Sequence, residues 1–182
     1  MPQIVIVTKY DPSWRHAFIR EKQIVTDILG DNAVAVYHIG STSVPGLPAK
    51  PIIDIMPVVK SLEAVDAAAE NFEKAGYEYM GEFGIPGRRY LRKGGDRRTH
   101  QIHVFHENDR FNIIRHLAVR DYLRAHADDA EQYGNLKMRL ARLYPHDIEG
   151  YCDGKEQFVL QLEKRALQWY EARFGSAELP RE

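Results

Sequence analysis

Only one cysteine, Cys152, occurs in the chain of 182 residues. That scarcity excludes an intramolecular disulfide framework and a cysteine-rich zinc site, and it fits a reducing compartment. Long hydrophobic runs are also missing: nothing approaches the ~20 apolar residues needed to cross a bilayer. The N-terminus has no basic-then-apolar signal pattern, so a cytoplasmic protein without membrane association is expected. Nor is there an excess of charge. Lys and Arg number 25 against 26 Asp and Glu, a formal net charge of -1. A near-neutral chain has no global attraction to nucleic acid or anionic lipid, so any polyanion must be met by a local patch. Internal repeats and low-complexity segments are absent as well. What is present, 44% hydrophobic and 28% charged residues, suffices to bury a core as one domain or as one domain with an appended subdomain.

The most informative stretch is His38-Ile39-Gly40-Ser41-Thr42-Ser43-Val44-Pro45-Gly46-Leu47-Pro48-Ala49-Lys50-Pro51-Ile52-Ile53-Asp54-Ile55. It lacks the marks of other phosphate loops. Lys50 stands four residues past Gly46 and is followed by Pro51, which a P-loop forbids. Two glycines, Gly40 and Gly46, are too few for a dinucleotide fingerprint, and neither Ser41 nor Ser43 sits in a G-x-S-x-G elbow. A strand ending in Gly-Ser instead lets backbone amides approach a phosphate without side-chain obstruction. An aspartate on the next strand can then hold a divalent cation against that phosphate. This layout resembles the loop-to-aspartate-strand signature of the polymerase-beta-like nucleotidyltransferase superfamily.

Periodicity supplies the surrounding elements. Asp11-Pro12 reads as an N-cap with proline at the first helical position, and Trp14, Phe18, Val25 and Ile28 recur at helical spacing up to Gly30. Residues 33–39 and 52–59 read as strands. Leu62, Val65, Ala69, Phe72 and Ala75 mark the buried stripe of a second helix stopped by Gly76. Residues 77–79, 88–92 and 99–105 read as three further strands, the last two joined through the turn Gly94-Gly95-Asp96. From Asp109 the pattern is helical. Asp153 with Glu156 resembles a capping box, and Phe158, Leu162, Ala166, Trp169 and Tyr170 form the apolar face of a last helix ending near Gly175. The tail 176–182 is expected to fray. These elements predict an α/β (α+β) fold: a single domain with a small mixed sheet flanked by helices at 1–108 and a helical C-terminal region at 109–182 packed on it.

The motif at 38–55, together with Tyr10-Asp11-Pro12-Ser13-Trp14, Arg98-Thr99-His100-Gln101-Ile102-His103-Val104-Phe105 and Arg120-Asp121-Tyr122-Leu123, is similar to the GrpB family. The resemblance covers most of the chain and implies a nucleotidyltransferase-type sheet. It also implies a strand carrying His103 beside that of Asp54, where superfamily members carry their third carboxylate. Some GrpB-like segments are fused to dephospho-coenzyme A kinase, which implies a link to coenzyme A or a related nucleotide.

Candidate site residues follow. Asp54 is the catalytic and metal-binding carboxylate; an acid inside Ile52-Ile53-Asp54-Ile55 is costly to bury unpaired, which favours function over an incidental strand acid. The superfamily's second carboxylate is replaced by Met56, which shares the face of Asp54 on a strand and whose thioether is a poor magnesium ligand. Glu82, Glu107 and Asp109 are possible substitutes. His100 and His106 share a strand face while His103 points away, so three histidines do not make one metal site. His103, with His38, is a candidate replacement for the missing carboxylates; the alternative for His103 is a structural hydrogen bond within a polar strand pair. Gly40, Ser41, Thr42, Ser43 and Lys50 would hold phosphate. Six cations within eleven residues, Arg88 to Arg98, exceed what solubility requires. Of these, Arg89 and Arg92 lie furthest into the strand and can grip phosphate bidentately. Lys137, Arg139 and Lys155 could close the cleft, or be exposed helix charge.

Two functions are expected from these residues. One is transfer of a nucleotidyl group from a nucleoside triphosphate, with Mg2+ or Mn2+, to a small-molecule acceptor. The other is a nucleotide- or phosphate-binding module that lost transfer with its second carboxylate. RNA binding is disfavoured by the near-neutral charge and by the lack of aromatics interleaved among the arginines.

Overall fold

The chain is described from a computed structural model over residues 4–175. The tail at 176–182 lies outside the described residues. Helix α1 (Ser13–Leu29) is followed by strand β1 (Ala33–Ile39), β2 (Ile53–Val59), the short helices α2 (Leu62–Ala67) and α3 (Ala69–Lys74), then β3 (Tyr77–Tyr79), β4 (Arg89–Lys93) and β5 (His100–His106). Three helices follow: α4 (Arg110–Ala125), α5 (Ala127–Leu143) and α6 (Ile148–Phe174). The five strands make one mixed sheet in the order β1-β2-β5-β4-β3, with β2 and β5 parallel and the other neighbours antiparallel. A mixed sheet with flanking helices and a helical C-terminal region is what the sequence led us to expect.

Two compact units divide the chain. The sheet unit comprises Pro12–Ile39 and Ile52–Ile113; the helical unit takes the N-terminal segment to Asp11, the loop Gly40–Pro51 and the chain from Ile114. Two segments that precede the sheet's last strands in sequence thus group with the helices.

In the sheet unit the β-branched runs set the strands, and β2 is deeply buried: Ile55, Met56, Val58 and Val59 have no exposed surface. One sheet face is covered by α1, through Trp14, Phe18, Val25 and Leu29. Glu21 lies in that same stripe and is buried. Helix α1 starts at Ser13 directly behind Pro12, whose φ and ψ of -57° and -21° are already helical. The single helix expected at 62–75 is broken at Ala68, whose φ and ψ of -88° and 2° leave the α region; Val65 and Phe72 remain its two buried anchors. Between β4 and β5, Gly94 adopts a φ of 99°, and a Cβ there would stand 2.5 Å from the Arg97 carbonyl oxygen. That turn fixes the hairpin register, Lys93 opposite His100 and Tyr90 opposite His103.

In the helical unit the N-terminal segment is tied down twice, by Thr8 exchanging backbone hydrogen bonds with Ala49 (2.9 and 3.0 Å) and by Val5 N–H donating to Pro145 (3.0 Å). Gly134 brings the loop 40–51 against α5, since a Cβ there would meet Pro48 Cδ at 2.7 Å. Helix α6 begins at Ile148, well before the Asp153-Glu156 pair. Its cap is Asp147, which accepts from Gly150 N–H at 2.9 Å. Asp147→Ala is therefore expected to cost about 1 kcal/mol in urea unfolding, and Asp153→Ala a few tenths at most.

Candidate functional site

Asp54 lies mid-sheet, opposite Ile39 on β1 and Gln101 on β5. Because side chains alternate, His103 falls on its face, and His103 Nε2 stands 3.4 Å from Asp54 Oδ1. The other ring nitrogen, Nδ1, is 3.3 Å from Arg88 Nη1. A guanidinium only donates, so Nδ1 accepts and the neutral imidazole carries its proton on Nε2, facing Asp54. His103 is therefore oriented as a hydrogen-bond donor to the carboxylate, with no lone pair turned toward a metal. Arg88 is buried and also donates to the backbone oxygens of Glu82 (3.2 Å) and Phe83 (2.5 Å). Sequence reasoning passed over Arg88 in favour of its neighbours. The strand period sets Arg88 apart from Arg89, since 88, 90 and 92 share one face and 89 lies on the other, but it does not set it apart from Arg92.

Several expected ligands are elsewhere or already engaged. His38 is in register with Ile55, hence on the face opposite Asp54, and its ring stacks on Phe18 with centroids 4.6 Å apart. It is not brought to the carboxylate. Arg89 is engaged bidentately by Asp66 (2.6 and 2.9 Å) and Arg92 by Glu78 (2.6 and 2.8 Å). Those hydrogen bonds hold the Asp66 and Glu78 carboxyls below their ordinary range. Both guanidinium forks serve strand and helix contacts. Met56 is fully buried on the face of Asp54. Of the possible substitutes, Glu82 accepts from Gly87 N–H at 2.8 Å and Asp109 accepts from Asn112 N–H at 3.2 Å, capping α4. Glu107 is exposed just past β5. Among the described residues, no group of three or more His, Cys, Asp or Glu side chains is placed to hold a metal ion. One carboxylate is the sheet unit's contribution, a set that suits Mg2+ only where substrate phosphates supply further oxygens.

The histidines separate as strand geometry requires. His100 Nε2 lies 3.8 Å from Glu21, on the helix-covered face, and His106 Nδ1 accepts from Asn108 N–H at 3.0 Å.

The helical unit carries the phosphate-loop residues. Gly40, at φ 70°, turns the chain into one 3-10 turn, Ser41–Ser43. Ser43 Oγ donates to the Gly40 carbonyl at 2.5 Å, and the Ser43 carbonyl accepts from Arg124 Nε (3.0 Å) and Nη2 (2.8 Å). Thr42 and Ser43 are buried, so of the three hydroxyls Ser41 is the one at the cavity. That cavity, about 210 Å3, is lined among others by Gly40, Ser41, Arg115, Arg120, Tyr133 and Glu163.

Ser41 is also the partner of Lys137. This lysine lies in the buried stripe of α5 with Tyr133 and Leu140, 2% exposed, with Nζ 2.7 Å from Ser41 Oγ and 4.3 Å from the Tyr133 ring centroid. Among the described residues no carboxylate pairs with it. Burial pushes this ammonium well below the ordinary lysine range, and Lys155 and Lys50 push it further. Lys50 and Lys155 stand over the same Tyr151 ring, at 5.5 and 5.2 Å. Burial thus disfavours the charged form, which an anion beside Nζ would favour. Periodicity offered the clue: Lys137 occupies a core position of its helix rather than a solvated one.

A mixed sheet bearing one carboxylate beside a histidine, and a helical unit bearing a buried lysine at a Gly-Ser turn, define the class of a small α/β protein. The chain belongs to the GrpB protein family, whose model matches residues 4–165. It is 41% identical over 169 residues to the UPF0157 protein YqkA of Bacillus subtilis, covering 93% of this chain but 49% of that protein. To the glutamate-rich protein GrpB of Alkalihalophilus pseudofirmus it is 35% identical over 161 residues, 85% of this chain and 91% of that one. The crystal structure of the conserved protein GrpB from Enterococcus faecalis matches at a TM-score of 0.89 and 49% identity, covering 91% of this chain and 99% of that one. The chain thus spans about half the length of YqkA and nearly all of the other two. Among the described residues, no helix is long and apolar enough to cross a membrane.

Proposed function

We propose that this GrpB-family protein binds a nucleoside triphosphate with a divalent metal, Mg2+ or Mn2+, and transfers its nucleotidyl group to a small-molecule acceptor. The observation that carries the reading is Lys137, a buried ammonium bonded to the Ser41 hydroxyl and otherwise without a counter-charge. Phosphate oxygens would supply that charge, with Ser41 and the Gly40 backbone orienting them and Lys50 and Lys155 adding attraction. Asp54 is the carboxylate that would hold the metal, which when bound would supply charge neutralisation. His103, donating to Asp54, fixes the direction of that carboxylate, and Arg88 fixes the tautomer of His103. The likeness of Gly40-Ser41 followed by the Asp54 strand to the nucleotidyltransferase signature supports the reaction class.

A second reading, a nucleotide- or phosphate-binding module without transfer, is favoured by fully buried Met56 at the position of the second carboxylate. Both readings share the phosphate pocket and differ in Asp54. Thermal shift with ATP, GTP, CTP, UTP, coenzyme A and dephospho-coenzyme A, each with and without Mg2+ or Mn2+, tests them together. The transferase reading expects metal-dependent stabilisation by a nucleotide that Asp54→Asn loses. Stabilisation that ignores metal and survives in Asp54→Asn selects the binding module. Absence of any shift with all six ligands sinks both.

A further inference from the structure

The segment between β3 and β4 holds an aromatic side chain at a cost. Phe83 is the one non-glycine residue with a left-handed φ, 45°, among the described residues, and Gly81, Gly84 and Gly87 around it have φ of 62°, 86° and 78°. A bulky residue in that region is strained, where glycine would sit freely. The ring is also not hidden: Phe83 is 54% exposed although one face stacks on Tyr90, with centroids 5.1 Å apart and planes at 14°. Strain and exposure of an apolar ring are both unfavourable, and folding of the sheet explains neither.

The ring is nevertheless held in place. The Arg88 guanidinium lies 4.9 Å over Tyr90 and binds the Phe83 and Glu82 carbonyls while reaching His103 Nδ1. Tyr90 in turn stands 5.3 Å from the His103 ring. Phe83, Tyr90 and His103 thus form an unbroken aromatic path to Asp54, clamped by one arginine. We propose that the outward face of Phe83 is a stacking platform for the planar heteroaromatic ring of a nucleoside ligand. The platform places that ring along the path that ends at His103 and Asp54. Every nucleobase has a π-face, so such a shelf favours bases as a class over any single base.

This inference rests on the nucleotide reading for its ligand class, and its test separates the two. Dissociation constants are measured calorimetrically for ATP, GTP, CTP and UTP and for tripolyphosphate, with wild type, Phe83→Ala, Phe83→Gly and Phe83→Trp. Phe83→Ala and Phe83→Gly should weaken nucleotide binding about tenfold or more while leaving tripolyphosphate unchanged, and Phe83→Trp should retain it. Phe83→Gly relieves the φ strain, so its Tm should equal or exceed that of wild type. Adenosine should compete with ATP, and Phe83→Ala must abolish its binding; adenosine that binds alongside saturating ATP overturns the platform. Nucleotides that bind no better than tripolyphosphate, or that bind Phe83→Gly as they bind wild type, overturn the platform. So does a Phe83→Gly defect that comes with a fall in Tm. Loss of tripolyphosphate binding by wild type itself would count against the Ser41-Lys137 pocket instead.

Discussion

Lys137→Met is expected to remove the thermal stabilisation given by tripolyphosphate and, in the free protein, to raise Tm. The two halves have one cause. Helix α5 carries Lys137 into its apolar stripe, where the ammonium has lost its water and gained only the Ser41 hydroxyl and the Tyr133 ring. Methionine has a similar volume and no charge, so the fold is relieved of a desolvated cation. An anion in the pocket restores what the lysine lost. A hydrogen bond to a charged group contributes about 1.5–3 kcal/mol, so the variant should bind tripolyphosphate at least tenfold more weakly.

The pH dependence of the free protein has a definite sign. The folded lysine is held below its unfolded value of about 10.4, so the unfolded state binds more protons between the two values. Wild-type stability therefore rises as pH rises through that window, and the penalty is full below it. Lys137→Met lacks this slope, and saturating tripolyphosphate should flatten it in wild type. Tm measured from neutral to alkaline pH, with and without tripolyphosphate, checks all three points. A variant that keeps the full tripolyphosphate shift would remove the phosphate pocket from the Ser41 turn.

The second large effect concerns stability alone. Glu21, buried on α1, accepts from Tyr77 OH and Lys93 Nζ, each at 2.8 Å, and faces His100 at 3.8 Å. Burial pushes its carboxyl up, but the hydrogen bonds from Lys93 and Tyr77 outweigh it and leave the group lowered. The same burial, with Glu21 adjacent, raises the Tyr77 phenol, which stays a donor at every accessible pH. Glu21→Ala orphans the buried phenol and leaves the ammonium without its partner. Lys93 keeps 27% of its side-chain surface exposed and can recover water, which reduces the expected cost to about 2–3 kcal/mol. A carboxyl lowered in the folded state stabilises above its unfolded pKa, about 4.3, and that contribution is lost as pH falls through the folded value. Glu21→Gln should thus be less stable than wild type at neutral pH and show a shallower acid limb. Urea unfolding at pH 7 and from pH 5 to 3 reads both.

Strand positions could be read because β-branched runs between glycine and proline turns leave few alternatives. The start of α6 could not. Gly150 and Gly154 argue against a helix at about 1 kcal/mol each relative to alanine, so Asp153 looked like the first credible cap. Packing reverses that judgement: a Cβ on Gly154 would stand 2.5 Å from Leu140 Cδ2, and one on Gly150 would stand 2.7 Å from Tyr144 Cδ1. These glycines are there so that the side chains at Leu140 and Tyr144 can lie against the helix.

The sequence by itself determined the strands, the family, and the faces on which Asp54, Met56 and His103 lie, because alternation along a strand is a local property of the backbone. Tertiary structure decided which charges were already engaged. Arg92 shares the strand face of Arg88 and Arg89 does not, but no sequence pattern shows that Glu78 and Asp66 occupy these two while Arg88 reaches His103. Lys137 and Ser41, 96 positions apart, became a pair through the folding of the loop 40–51 onto α5. Ion pairing and desolvation depend on distances between residues remote in the chain, and those distances exist only once the chain has folded.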